Sequence, residues 1–589
     1  MSQDSPFRSV WSFLGRYRRR YVLGFLSLVA TDVLQLTLPM ITGAFVDDLK
    51  LGVLTRAGIR RYILILLGAT ALMAVARFAW RLYVFGTARY VENDLRDALF
   101  SHLLRLSASF YHRNKTGDLM AMATNDLQAV RALAGDGVLM GIDAVVMTLL
   151  TVGAMVRNIG LKLSALALAP LPVLAAGSFV VGRLIHRRFR EVQDTFGRLS
   201  DVTQENLMGI RTVKAFVQEE AEEQKFARIN RQYMENFMRM VQVHGLVEPG
   251  IQLLAGLCYV LALIFPGRAV LRGEIPVGAF VALTMYIGML IWPMLAAGWV
   301  VNLVQRGTAS FARIQSILFE QPEVTSADPA VLPPEGRIRG RIEIRNLTFR
   351  YHRHQPPVLQ DINVVIEPGQ TLGILGRTGS GKSTLVSLLA RVFNPPRGTI
   401  YVDGLDVLDL PLDLLRRSIA FVPQESFLFS RTVGENIGYA PGQWSPEQIR
   451  QAARTAQVEQ DILEFLPRGY ETMVGERGVT LSGGQKQRIS LARAILKDAP
   501  VLVLDDCLSA VDTATEARIL AGLRPVMQGR TTILISHRVN ALKEADRIIV
   551  LEKGRIVEAG THQELLAQKG RYWRTYQRQQ LEEAIARAE

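Results

Sequence analysis

Cysteine is almost absent from the chain. Cys258 and Cys507 lie far apart in unlike contexts, so no disulfide framework or cysteine-rich metal centre follows from them. No self-similarity recurs at a period of 20–50 residues, which removes solenoids and propellers. The start of the sequence is not expected to act as a cleavable leader. The first apolar run, 21–46, is too long for a signal-peptide core and lacks a clear small-residue cleavage site.

What is present is apolar surface in long runs. The 589 residues are 49% hydrophobic, with a mean hydropathy of +0.17, and the length alone argues for several domains. Lys+Arg number 68 against 54 Asp+Glu, an excess of 14. A basic balance suits nucleic acid, or a membrane protein with cytoplasmic Lys/Arg. The apolar runs decide for the lipid bilayer and against nucleic acid.

The run 21–46 reads as a first transmembrane helix. Further candidates are 62–76 extended through Arg77 and Arg81, then 139–156, 163–181, 247–265 and 275–301. That gives about six spans, each able to reach ~20 apolar residues. Ahead of them, MSQDSPFRSVWSFLGRYRRR reads as an interfacial helix ending in the basic cluster Arg16, Arg18, Arg19 and Arg20. Long polar helical segments rich in arginine separate spans two and three, and spans four and five. The positive-inside tendency puts the N-terminus, and everything after span six, in the cytoplasm of a multi-pass cell-membrane protein. Asp32, Arg77 and Asp143 fall inside spans, where charge is either functional or paired between helices. Met285, Met289, Trp292 and Trp299 form a stripe in span six. Packing or lipid contact is favoured for it over a pliable cavity lining.

Proline and acid cluster at EQPEVTSADPAVLPPEG, 320–336, and the texture then changes. Short apolar strands such as RIEIRNLTF, TLGILG, VLVLD and TTILIS alternate with helical patterns, as in an α/β domain with a largely parallel sheet. EKG at 552–554 is expected to turn a hairpin. The tail from Arg571 reads as polar helix.

GRTGSGKST, 376–384, fits G-x-x-x-x-G-K-[ST] between a strand and the helical run LVSLLARVF. Its glycines let backbone N–H groups close on phosphate oxygens, and the helix N-terminus adds its positive end. Lys382 reaches the β and γ phosphates in such a loop, and Ser383 ligates Mg²⁺. LSGGQKQR, 481–488, sets a glycine-flanked serine at a second helix start. One nucleotide does not need two anion sites far apart in one domain. Two facing copies of the domain can share them.

With these motifs in hand, the chain resembles an ATP-binding-cassette (ABC) exporter half-transporter over nearly its whole length. GRTGSGKST is similar to the Walker A motif, LSGGQ to the signature and VLVLD to Walker B. The resemblance implies a multi-domain membrane protein. Residues 1–319 would form an all-α six-helix transmembrane domain with cytoplasmic coupling loops, and 320–340 a linker. Residues 341–589 would form an α/β P-loop nucleotide-binding domain with a C-terminal helix. It implies ATP and Mg²⁺ as cofactors, with Tyr351, Gly376, Thr378, Gly379, Ser380, Gly381, Lys382, Ser383 and Thr384 holding nucleotide. Ser383, Gln424 and Asp505 would serve the metal, and Gln424, as the Q-loop glutamine, would also sense the attacking water. Leu481, Ser482, Gly483, Gly484 and Gln485 would face a partner's ATP. Asp512 matches the D-loop, His537 the switch histidine, and TMVGERG, 472–478, the exporter-type loop before the signature. Residues 116–126 and 208–216 would dock on nucleotide domains as coupling helices.

One position departs from the family. The residue after the Walker B aspartate is usually a glutamate that polarises water, and here it is Asp506. Losing one methylene withdraws the carboxylate by ~1.5 Å, while a base must first lie within hydrogen-bond reach. Misplacement by ~1 Å costs on the order of a hundredfold in rate. The pattern resembles the degenerate-site subunit of heterodimeric bacterial multidrug exporters. It implies a non-identical second half-transporter that carries the glutamate, and a hydrophobic small-molecule substrate. Two other readings stand beside it: a homodimeric exporter with Asp506 as a weak base, and an ATP-gated regulatory module.

Overall fold

The computed structural model describes residues 6–352, 354–475, 481–509 and 511–588. The chain divides into two compact units, residues 1–104 with 115–320, and residues 105–114 with 321–589.

The first unit is helical. Five continuous helical stretches among the described residues are long and apolar enough to cross a membrane, and Leu161–Leu174 is a shorter apolar helical stretch. The second span runs within a helix of 48 residues, Arg56–Leu103. At 1.5 Å per residue that is ~72 Å, well beyond a ~30 Å hydrocarbon layer. The arginine-rich segments after the apolar runs are therefore helical extensions of the spans rather than loops.

Span four differs from the expected continuous 163–181. The helix Leu161–Leu168 stops, and a second, Leu171–Met208, starts after Pro170. Pro170 and Pro172 lack the N–H that would continue the ladder, and their rings obstruct the preceding carbonyls. The N-terminal helix Pro6–Leu14 is amphipathic. Val10 and Leu14 are buried in a cluster with Val91, Leu95, Phe311 and Ile314, so this apolar face packs on protein.

Packing between spans relies on small residues. A Cβ on Gly43 would lie 2.6 Å from the Gly278 carbonyl oxygen, and the Gly278 N–H donates to Asp47 Oδ1 at 2.6 Å. Without a hydrophobic drive between helices in lipid, such close backbone approach is what holds the first and sixth spans together. Cys258 is fully buried beside Tyr286, Ile287 and Leu290, where it acts as a small apolar residue.

The second unit contains two sheets. β1 (Ile342–Phe349), β2 (Leu359–Ile366), β4 (Ile400–Val402) and β5 (Leu405–Asp406) form an antiparallel sheet ordered β2-β1-β4-β5. The larger sheet is ordered β10-β9-β3-β8-β7-β6. Its strands are β3 (Thr371–Gly376), β6 (Ile419–Val422), β7 (Val501–Asp505), β8 (Thr531–Ile535), β9 (Arg547–Glu552) and β10 (Arg555–Gly560). β6, β7, β8, β3 and β9 run parallel, and β10 returns antiparallel. Lys553 and Gly554 both take positive φ at that hairpin, as a tight primed turn requires.

β7 is buried at all five positions. Both of its faces are covered, which explains an unbroken apolar run where a half-exposed strand would alternate. Its parallel neighbours align Asp505 with Ile535 of β8. The loops that follow β3, β7 and β8 thus leave the sheet at one edge, the carboxyl end, where open α/β sheets bind ligands.

Candidate active site

The loop after β3 is built by backbone. Gly379 and Gly381 take φ of 80° and 100°, and a Cβ on Gly381 would stand 2.7 Å from Leu359 Cδ2. Only glycine follows this path without strain. Thr378 lies on its exposed rim and Ser380 is buried. The helix Lys382–Leu389 starts immediately after, with Ser383 and Thr384 in its first turn.

Lys382 Nζ donates to the carbonyls of Gly376 at 2.8 Å and Arg377 at 3.1 Å, and lies 3.5 Å from His537 Nε2. Burial pulls the Lys382 pKa down, while Asp506 and Asp505 act to hold its charge. Asp505 closes β7 at 3% exposure within hydrogen-bonding reach of Ser383, and its Oδ1 has no hydrogen-bond partner. Burial pushes its pKa up. A buried carboxylate oxygen without a donor, beside a hydroxyl, suits a hard cation that takes oxygen ligands.

Asp506 sits in the left-handed region, φ 46°, and is buried. Its N–H donates to Ile535 O at 3.0 Å, and its carbonyl accepts from Ser509 Oγ at 3.0 Å. Its Oδ2 stands 3.9 Å from His537 Nε2. Burial raises the Asp506 pKa against the opposing pull of His537 and Lys382. Burial, then Lys382, lowers that of His537, favouring neutral imidazole at pH 7.

Gln424 follows the end of β6 and is exposed. Tyr351 shares a 2.9 Å hydrogen bond between its hydroxyl and Thr384 Oγ1, and its ring meets Phe349 and Phe393 edge-on. Phe393 in turn meets His112, on the helix Ala108–Arg113. That helix lies in the part of its loop belonging to the second unit, 105–114, whereas 116–126 belongs to the first.

Leu481 is buried, and Ser482 caps the helix Gly483–Leu496, in whose first turn Gly483, Gly484 and Gln485 lie. The Gln485 N–H donates to Ser482 Oγ at 3.2 Å, and the Ser482 N–H donates to Gln485 Oε1 at 3.0 Å. Asp512 caps Thr513–Met527 by accepting from the Thr515 N–H at 2.9 Å. Of TMVGERG only 472–475 is described, and Ala510 of the D-loop also lies outside the described residues.

Lys382, Ser383, Asp505, Asp506 and His537 therefore converge. Three supporting residues were not legible as such in the sequence. Asp461 Oδ2 accepts from Arg488 Nη2 at 2.6 Å and Gln485 Nε2 at 3.3 Å, fixing the signature helix. Gln487 Nε2 donates to Ser509 Oγ at 3.2 Å, which ties that helix to the Asp506 carbonyl. In the tail, Gln579 Nε2 donates to the His537 carbonyl and Gln579 Oε1 accepts from the Val539 N–H, both at 2.8 Å.

A parallel sheet with a glycine phosphate loop and an acid-ended neighbouring strand, joined in one chain to membrane-crossing helices, defines a membrane-bound nucleotide-driven machine. Residues 21–294 match the family of ABC transporter transmembrane regions, and residues 359–509 the ABC transporter family. The chain belongs to the ABC transporter family. It is an ATP-binding, multi-pass membrane protein of exporter type, with its nucleotide-binding domain in the cytoplasm. It is 41% identical to the "Probable multidrug resistance ABC transporter ATP-binding/permease protein YheI" of Bacillus subtilis, over 98% of each chain. It is 40% identical to the multidrug resistance-like ATP-binding protein MdlA of Escherichia coli, covering 98% of this chain and 96% of that one. Among solved structures, a bacterial Atm1-family ABC exporter with ATP bound superposes with a TM-score of 0.80 at 27% identity, covering 95% of this chain and 99% of that one.

Proposed function

We propose that this chain is the degenerate-site half of a heterodimeric exporter of hydrophobic and amphipathic compounds. The observation that carries this reading is the post-Walker B position. Asp506 is held by its backbone at both N–H and carbonyl, with a side chain one methylene shorter than glutamate. Tethered so, the carboxylate cannot slide forward by the ~1.5 Å that glutamate would add.

Gly376 to Thr384 would cradle the phosphates, and Tyr351 would stack on the base. Ser383, Asp505 and Gln424 would hold Mg²⁺, which supplies charge neutralisation at the phosphate oxygens. ATP then binds well at this chain's own site and is cleaved slowly. LSGGQ, with Ser482 at the helix start, completes the partner's site. Multidrug names among relatives support the substrate class. Nucleotide-driven closure turns the membrane cavity outward, and hydrolysis at the competent site resets the pair.

The decisive experiment compares the purified chain alone with the chain co-purified beside an unlike half-transporter bearing glutamate after its Walker B aspartate. The reading expects slow hydrolysis alone and brisk, substrate-stimulated hydrolysis in the pair. Brisk hydrolysis by a pure homodimer overturns it. The nearness of Lys382 and His537 to Asp506 favours a second reading, a homodimer in which Asp506 is an adequate base. In that case no partner co-purifies, and Asp506→Ala abolishes turnover.

A further inference from the structure

Within the first unit lies a cavity of about 660 Å³, in the size range of small-molecule sites. Its walls come from four spans. Met285, Met289 and Trp292, three members of the span-six stripe, form one side, so the stripe lines a cavity instead of only packing. Trp80, Met140 and Met147 add to the apolar wall.

The cavity also contains charge. Asp32, Arg77, Arg81 and Asp143 line it, and span six contributes no titratable group to the lining. Asp32 is 3% exposed, and its Oδ2 receives no hydrogen bond from any donor among the described residues. Its carboxyl lies within hydrogen-bonding reach of the Asp143 carboxyl, a contact that closes only when one of the two carries a proton. Arg77 acts on both carboxyls electrostatically and donates to Gln35 Oε1 at 3.3 Å. Arg81 is turned over the Trp80 ring, 5.5 Å from its centre. Two carboxyls so close cannot both ionise cheaply unless a further positive charge joins them.

We propose that this cavity binds a lipophilic organic monocation in exchange for the proton shared by Asp32 and Asp143. The cation's charge meets the paired carboxylates, and its apolar body lies against the Met and Trp walls, which adapt to shape and favour cations over their rings. The proton leaves to water as the cation enters, so the net charge of the cavity is unchanged. The inference rests on the exporter reading and sharpens its substrate class. Every lining residue the argument uses belongs to this chain, so the test is read on the chain itself and needs no hydrolysis.

The test is equilibrium binding of tetraphenylphosphonium to the full chain in lipid nanodiscs, beside the isosteric anion tetraphenylborate. Expected are binding of the cation at least tenfold tighter than the anion, release of close to one proton per cation in weak buffer, and weakening on acidification. The double variant Asp32→Asn, Asp143→Asn is expected to lose at least tenfold in cation affinity. Retained ATP-analogue binding checks its fold. Met289→Trp, which fills the cavity and keeps both carboxyls, is expected to weaken the cation as well. Equal binding of cation and anion, cation binding without proton release, or unchanged affinity in either variant overturns the proposal. Failure of every pair to transport, with this binding intact, overturns the exporter reading alone.

Discussion

Asp506 Oδ2 stands 3.9 Å from His537 Nε2, beyond hydrogen-bond distance, with the Asp506 backbone pinned to β8 and to Ser509. The imidazole and the carboxylate are therefore close without being hydrogen-bonded. Asp506→Glu extends that carboxylate by ~1.5 Å without moving its anchors. The expected result is a rise in ATPase of the chain alone by about ten- to a hundredfold, the scale of a ~1 Å misplacement. Steady-state phosphate release measures it. No rise, with ATP binding preserved, rules out side-chain length at Asp506 as a brake on turnover.

On the shared-site proposal, loss of Ser482 is felt at the partner's nucleotide. Its hydroxyl caps the signature helix, a contact worth ~1 kcal/mol to the fold. In the proposed heterodimer, Ser482→Ala is expected to cut ATPase of the pair at least tenfold. Nucleotide affinity at this chain's own Walker site should stay within about twofold. Asp461→Asn, which weakens the grip on Arg488 and Gln485, should produce a smaller loss of the same kind. Undiminished turnover in Ser482→Ala refutes the shared-site arrangement.

Much of this was legible because the physics is local. A strand, a glycine loop and a helix start occupy fewer than twenty residues, so GRTGSGKST declared the strand–loop–helix turn found between Thr371 and Leu389. The membrane class and the α/β domain followed from apolar runs and their lengths. The break in span four depended on Pro170 and Pro172 inside an otherwise apolar run, where hydropathy outweighed backbone chemistry in the reading. β4 and β5 are three and two residues long, too short to show any period. Gln579 is a plain polar residue in a polar tail, and only tertiary folding brings it to His537. The stripe of Met285, Met289 and Trp292 was visible, but its facing carboxyls come from helices over a hundred residues away.

Asp505 sets a pH dependence. Burial raises its folded-state pKa above the unfolded value of 3.8. The native state therefore keeps that proton to higher pH than the unfolded chain does. Stability from this group is intact below the unfolded value and is lost as pH rises through the folded one. Without nucleotide, Asp505→Asn is expected to melt above the wild type at pH 8, with the gap narrowing toward pH 5. ATP with Mg²⁺ should raise the wild-type melting temperature and barely move the variant's. Thermal melts at the two pH values decide it. A variant that melts below the wild type at pH 8 contradicts the assignment.

Gln579 offers a test from outside every motif. Its amide brackets the turn after β8, donating to the His537 carbonyl and accepting from the Val539 N–H. Each such bond contributes about 0.5–1.5 kcal/mol net. Gln579→Ala should therefore lower stability by ~1–3 kcal/mol at most, and leave His537 less well placed. In the Asp506→Glu background, where turnover of the chain alone is expected to rise, the variant is expected to lower kcat several-fold. Affinity for ATP should stay nearly constant, because Gly376 to Thr384 are untouched. Gln579→Glu is a control that keeps an oxygen for Val539 but loses the donor to His537, so it should reproduce the kcat loss. Equal kcat in all three chains reduces Gln579 to a tail contact with no bearing on the histidine.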